Sequence, residues 1–278
     1  MLAGRSCKVL SGFLYGRRHP PAHRAGGGGE PSIDLLPVRA RRTGKVRAIT
    51  DGRSFTLEDG REIRLAGIEV PLLPGPGDLG TGAKAGLAAR AALESIIAGQ
   101  NVELRQNDVA DRYGRMPALV YVTQGGSLES VAHELLAKGF ARVSAHVGER
   151  PCADELLARE RAARQAKLGL WGEPYYVIVA AESGAELVAE RGHFMLAEGK
   201  VWSVRESGGT IYVNFGRQWS QALTVTILKR NERMFAAAGI EPKRLENRRV
   251  RVRGWVEERN GPRIEATRPE QIEIAERN

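Results

Sequence analysis

The chain has 278 residues, 42% of them hydrophobic, which is length enough for two ordinary domains with cores of their own. No run of about 18 uncharged apolar residues occurs, so nothing reads as a membrane span and a soluble protein is expected. Only Cys7 and Cys152 are present, too few for a disulfide framework or a Cys-based zinc site. The net charge of +9 points to a polyanionic partner, but it is unevenly spread. Residues 1–43 carry eight Lys/Arg against Glu30 and Asp34, residues 44–191 carry 18 against 20, and residues 192–278 carry 16 against 11. The middle of the chain is slightly acidic, and the excess positive charge lies at the two ends.

Residues 1–42 combine Arg17, Arg18, Pro20, Pro21, the Gly26 to Gly29 run and Arg39 to Arg42 without a hydrophobic period, so they are expected to form a disordered basic leader. That composition is compatible with an organellar transit peptide, a mis-set start codon or a plain tail, and the apolar window Val9 to Tyr15 is too short for a clear signal peptide. The sequence names no compartment. The glycine run neither follows a strand nor opens a helix, so it is not a phosphate loop.

From Gly44 the pattern alternates. Val46, Ala48 and Ile49 lead to a turn at Asp51-Gly52, then Phe55 and Leu57, a second turn at Asp59-Gly60, and Ile63, Leu65 and Ile68, which together predict an antiparallel meander. Thr81 to Ala98 carries Ala85, Ala88, Ala89, Ala92, Leu93, Ile96 and Ile97 at helical spacing and is closed by Gly99. Val102 to Leu104 and Ala118 to Val122 read as strands, Leu128 to Lys138 as a helix stopped by Gly139, and Ala153 to Ala166 as a third helix before Leu168-Gly169-Leu170-Trp171. Gly172 to Arg191 reads as a spacer. Beyond it, strands are expected over Lys200 to Val204, Thr210 to Phe215 and Leu223 to Leu228, a short helix over Arg230 to Ala238, and strands over Arg249 to Val256, Arg263 to Ala266 and Gln271 to Ile274. That order is the one an OB-type barrel uses; an SH3-like barrel or irregular sandwich is the alternative.

Four segments in order carry a more specific signal: Asp51-Gly52-Arg53, Arg64-Leu65-Ala66-Gly67-Ile68-Glu69-Val70-Pro71-Leu72, Asp111-Arg112-Tyr113-Gly114-Arg115 and Leu168-Gly169-Leu170-Trp171. Together they resemble the staphylococcal nuclease (thermonuclease-like) family. The resemblance implies an α+β fold in which a five-stranded OB-type barrel with three helices spans 43–173; the strand pattern alone adds a linker at 174–191 and a second, small OB-like barrel over 192–276. It also implies calcium-dependent hydrolysis of DNA or RNA phosphodiesters, with carboxylates holding the cation, a glutamate activating water and two arginines gripping the phosphate. Such chemistry needs guanidiniums on the oxygens that gain charge and a base or metal for the attacking water.

By the same resemblance, Arg64 and Arg115 match the phosphate arginines. Glu69 matches a cation ligand at a position where the family has Asp, and Asp51 is the other carboxylate of the metal site. Arg53 stands where the second metal-binding Asp of the turn belongs, and Leu72 stands where the general base belongs. The sequence is therefore expected to pair Arg53 with Glu69 in place of a cation. Relocated carboxylates at Asp51, Glu62, Asp78 or Asp111 are the route to a rearranged metal site, although Asp51 and Asp111 also suit turn formation. His133 and His146 lack metal-ligand spacing.

In the C-terminal block, Arg249, Arg251 and Arg253 alternate with Val250, Val252 and Gly254 and so form a charged stripe on one strand face. With Trp202, Tyr212, Phe215, Trp219, Trp255, Arg205 and Arg217, the stripe is expected either to contact nucleic acid by stacking and charge, or to be a solvated face paired with Glu257, Glu258 and Glu265 while the aromatics form core. The leading reading is a nucleic-acid-binding, nuclease-like protein with a degenerate centre and no cofactor. The second is a working calcium-dependent endonuclease with a rearranged metal site; the third is a structural or protein-binding module, which the acidic middle region favours.

Overall fold

The computed structural model describes residues 40–75, 77, 80–106, 109–147 and 150–275. Most of the leader, the Gly26 to Gly29 run and Asp78 lie outside these residues. Among the described residues no helix is long and apolar enough to cross a membrane.

The first barrel begins with β1 (Ala40–Ile49), β2 (Ser54–Leu57) and β3 (Glu62–Leu65), joined by the two Asp-Gly turns. The leader boundary at 42 needs correction: Ala40, Arg41 and Arg42 pair with residues 106, 105 and 104 as the start of β1. Their charges look like those of a tail, but the ladder to the facing strand carries them into the sheet. A two-residue strand β4 (Ile68–Glu69) follows, then α1 (Thr81–Ile97), β5 (Asn101–Gln106) and β6 (Met116–Gln124). Antiparallel pairing runs β3-β2-β1-β5-β6, and a parallel pairing of Ile63, Arg64 and Leu65 with Met116, Pro117 and Ala118 closes the barrel. Phe55, Leu57, Ile63 and Leu104 fill its interior from the strands, while Leu93 and Ile97 enter from α1; all are fully buried. Burial of this kind is worth about 1.5–3 kcal/mol per large side chain.

The predicted helix over Leu128 to Lys138 is shorter than expected. A hairpin through Gly125 and Gly126, both at positive φ, first makes β7 (Ser127–Ser130), and only then does α2 (Val131–Ala137) start. Alternation in Leu128 and Ser130 was hidden inside a helix-compatible run. After α2 come β8 (Arg142–Val143), which pairs with β4, and α3 (Arg150–Gln165), with a 3-10 turn at Gly169–Trp171.

The segment read as a linker is also structured, since it holds β9 (Ile178–Ala180) and α4 (Gly184–Ala189). Three-residue strands and one-and-a-half-turn helices give no period to detect; β9 is held by parallel pairing to β10 (Phe194–Lys200). The rest of the second unit comprises β11 (Ser203–Ser207), β12 (Thr210–Asn214), β13 (Thr224–Leu228), α5 (Glu232–Ala237), β14 (Arg249–Trp255), β15 (Glu257–Glu258), β16 (Pro262–Glu265) and β17 (Ile272–Ile274). Read as two broken strands, β10 with β11 and β14 with β15 span two sheets. The meander β11-β12-β13, the parallel β13–β16 pair and the antiparallel β10–β14 pair give the same connectivity as the first barrel, so the unit is OB-type.

The two barrels meet along α3 and β8 on one side and β14 and β17 on the other. Arg253 is 1% exposed and donates both ends of its guanidinium to Glu160 of α3, at 2.7 and 3.0 Å. It also donates to the Val143 carbonyl at 3.1 Å and to Glu273 at 2.5 Å. Arg164 completes the group with a 3.0 Å hydrogen bond to Glu160. Beside it, Arg142 donates to the Phe194 carbonyl at 2.6 Å while lying 4.5 Å from the centre of the Tyr176 ring.

Candidate nucleic-acid interface

The rim of the first barrel is assembled from two turns and the strands β3 and β4. In Asp51-Gly52-Arg53 the Asp51 Oδ1 accepts a hydrogen bond from the Arg53 backbone N–H at 2.7 Å, which is the turn-forming role of Asp. Gly52 is pressed onto α1, where a Cβ would come within 2.8 Å of the Ala89 Cβ. With the turn pinned there, the Arg53 side chain runs inward and is 8% exposed. Its Nη1 lies 2.5 Å from Glu69 Oε2 and donates at 3.0 Å to the Ile68 carbonyl. The expected pairing of Arg53 with Glu69 is therefore present in the geometry, and it uses the carboxylate the resemblance assigned to a cation.

The second turn presents Asp111. Its Oδ1 accepts from the Tyr113 and Arg115 backbone N–H groups at 2.9 and 3.0 Å, and its Oδ2 accepts from Arg115 Nε at 2.9 Å. Arg64, on β3, brings Nη1 to 3.7 Å from the same Oδ2. Arg64 and Arg115 thus converge on one carboxylate. Burial works to raise the Asp111 pKa, but the hydrogen bonds from Arg115 and Tyr113 outweigh it and hold the group below the usual carboxylate range. For Arg64, burial and the nearby charges of Arg53 and Arg115 push the pKa down, while Glu69 and Asp111 oppose the shift. A guanidinium stays protonated all the same. Asp51, Glu69 and Asp111 balance the three guanidiniums of this cluster, but Arg64 stands 3.7 Å from its nearest carboxylate and Arg115 keeps further N–H groups, which suits the rim to an anion.

The donor set does not suit a calcium ion, which takes six to eight hard oxygens. Glu69 is engaged by Arg53, Asp51 is turned to its own backbone, and Asp111 is engaged by Arg115. Among the described residues no group of three His, Cys, Asp or Glu converges. Leu72 is 69% exposed and carries no group that accepts a proton. His133 faces Glu155 at 3.4 Å, and His146 meets Thr267 at 3.0 Å across the contact between the barrels; neither approaches this rim.

The arginine stripe of β14 is not an open face, and this corrects the reading of Arg249, Arg251 and Arg253 as a row of nucleic-acid contacts. Arg253 is sealed against Glu160 and Glu273. Arg251 reaches Glu198 at 2.5 Å, and Arg249 reaches the same carboxylate at 2.7 Å while keeping an exposed side chain. Alternation put the three on one face, but Glu160 of α3 and Glu273 of β17 neutralise Arg253, and Glu198 of β10 neutralises Arg249 and Arg251. Trp202 and Tyr212 do come together, in a groove on the opposite side of the second barrel. Sequence reasoning also passed over Tyr113, which is 63% exposed between Arg112 and Arg115, whose guanidinium carbons lie 4.8 and 4.9 Å from its ring centre. Its place inside the Asp-Arg-Tyr-Gly-Arg turn was the available signal.

Residues 62–173 match the family model described as Staphylococcal nuclease homologue. A micrococcal nuclease of Shigella flexneri is 29% identical over 150 residues, covering 51% of this chain and 80% of that protein. An uncharacterized protein of Methanocaldococcus jannaschii is 36% identical over 61 residues, covering 22% of this chain and 28% of that protein. With its closed five-stranded barrel and three helices, the first unit of this chain, matched over residues 62–173, is staphylococcal-nuclease-like.

Proposed function

We propose that the nuclease-like domain binds the phosphodiester backbone of DNA or RNA through Arg64 and Arg115, does so without calcium, and hydrolyses it slowly or not at all. The observation that carries the proposal is the 2.5 Å ion pair between Arg53 and Glu69. A fixed guanidinium there supplies positive charge to the rim but has no site at which water can be ionised. The absence of a proton acceptor at Leu72 removes a contribution worth a factor of about 10² to 10⁴. Loss of a metal's charge from the transition state removes several kcal/mol more. What remains is phosphate recognition: Arg64 and Arg115 each retain N–H groups beyond those facing Asp111, and forked donors suit phosphate oxygens.

The test compares the protein with Arg115→Ala on single-stranded DNA and RNA, with calcium, magnesium or chelator. The expected outcome is binding that weakens in Arg115→Ala, with the slope of log affinity against log salt reduced by about one. Cleavage should stay at background under all three conditions. Metal-dependent cleavage abolished by Arg115→Ala would replace this reading with that of a working nuclease.

A further inference from the structure

The groove on the second barrel lies apart from the nuclease-like rim. It has a volume of about 640 Å³, within the range of sites that enclose small ligands. Its floor is the outer face of the sheet. Register places Ser203, Asn214, Thr224 and Arg263 in one cross-strand row, and Arg205, Tyr212 and Thr226 in the next, which Glu265 closes outside the groove's lining. The opposite face of the same strands carries Ile211, Val213, Val225, Ile227 and Ile264, all buried, so the groove is not a gap in the core. Trp202 and Trp219 stand on the rim, 53% and 69% exposed.

Two features define its chemistry. The lining contains four arginines and no carboxylate. Arg205 is exposed and forms no ion pair among the described residues, and Arg217 lies with its guanidinium carbon 5.0 Å from the Trp202 ring centre. Arg263 and Arg259 share Glu257, at 2.7 and 3.9 Å. Arg205 and Arg217, which form no ion pair among the described residues, stand beside exposed aromatic faces and are complementary to a ligand that alternates anions with flat rings. Lone exposed tryptophans would suit an apolar peptide, but four arginines, two of them without an acidic partner, would not.

We propose that this groove is a second binding site for single-stranded nucleic acid, with bases stacked on Trp202, Tyr212 and Trp219 and phosphates held by Arg205 and Arg217. The site is indifferent to base sequence. Of its two side-chain amides, Asn214 and Asn260, the one on the floor, Asn214, already donates to Ser203 at 3.3 Å and accepts from Thr224 at 3.2 Å, leaving few free groups to read base edges. This site stands on the second barrel alone and does not depend on Arg64 or Arg115.

The experiment uses the full chain with fluorescein-labelled dT20, the corresponding duplex, dA20 and polyglutamate as a competitor. Binding of dT20 should quench intrinsic tryptophan fluorescence, and a Trp202→Ala/Trp219→Ala double variant should lose at least about tenfold in dT20 affinity, given the typical worth of base–aromatic stacking. Its duplex affinity and melting temperature should be unchanged. Arg205→Ala/Arg217→Ala should weaken binding and flatten the salt slope by about two. dA20 should bind within a few-fold of dT20, and polyglutamate should compete poorly. Absence of quenching in the unaltered chain, equal loss for duplex and single strand, or competition by polyglutamate equal to that by dT20 would overturn the proposal. An Arg64→Ala/Arg115→Ala variant separates the two sites: if it alone loses binding, the groove fails and the nuclease-like rim stands, whereas loss in the tryptophan variant alone gives the converse.

Discussion

Replacing Arg253 with Met tests how the two barrels are joined. Arg253 is 1% exposed and satisfies Glu160, itself fully buried, through two hydrogen bonds. The Met side chain fills much of the same volume but leaves Glu160 with Arg164 at 3.0 Å and the Val143 N–H as partners. Breaking a buried pair by removing one member costs about 3–5 kcal/mol. The surviving Arg164 bond puts this case at the low end, near 3 kcal/mol, because Glu273 also keeps Arg161 and Arg164 nearby. For a chain of this size that is a fall of roughly 6–12 °C in melting temperature. Urea and thermal unfolding followed by circular dichroism would measure it. A Glu160→Met/Arg253→Met double variant should recover much of the loss, since apolar replacement of a whole buried pair is often neutral. A single variant melting within about 2 °C of the unaltered protein, or a double variant no better than the single, would refute the account of the contact as a desolvated ion network.

The carboxylates of this network set the acid stability. Burial works to raise the pKa of Glu273, but Arg253 and Arg164 outweigh it and hold the group below its ordinary range; Glu198, held by Arg249 and Arg251, behaves alike. A depressed folded pKa contributes stability above the unfolded value, about 4.3 for Glu, and that contribution disappears as pH falls through the folded value. Melting temperature should therefore be level from neutrality to about pH 5 and drop below about pH 4; a flat profile down to pH 3 would contradict it. Substituting Arg53→Asp places a second acid beside Glu69, so the variant should melt lower than the parent and regain stability with millimolar calcium, while the parent should show no calcium shift by differential scanning fluorimetry. Gly86 sits where a Cβ would come within 2.1 Å of the Leu72 carbonyl oxygen. Gly86→Ala should thus lose about 1–3 kcal/mol through displacement of the 71–75 loop, less up to about 1 kcal/mol of gained helix propensity, as read in urea midpoints.

What could be read from the chain followed the range of the interactions. The two Asp-Gly turns, the helix ends at Gly99 and Gly139 and the alternation of Phe55, Leu57, Ile63 and Leu65 are local signals, and the strands and helices they predict are present. The pairing of Arg53 with Glu69 was legible because two substitutions in neighbouring motifs carry opposite charge. β4, β8 and β9 were not, being two or three residues long and defined only by their partners. The stripe on β14 shows the limit most clearly. Period two fixes that Arg249, Arg251 and Arg253 share a face, but nothing within the strand says that Glu160, 93 residues earlier, seals Arg253.

The seam around Arg253 also governs geometry at a distance. Because charged groups stripped of water tolerate little displacement, sliding one barrel over the other would expose or strand a carboxylate. The nuclease-like rim and the aromatic groove are consequently held at a constant separation. For a polymer able to reach both, the second attachment occurs at an effective concentration dictated by that span, so tract length would act as a selection criterion even where neither surface distinguishes one base from another.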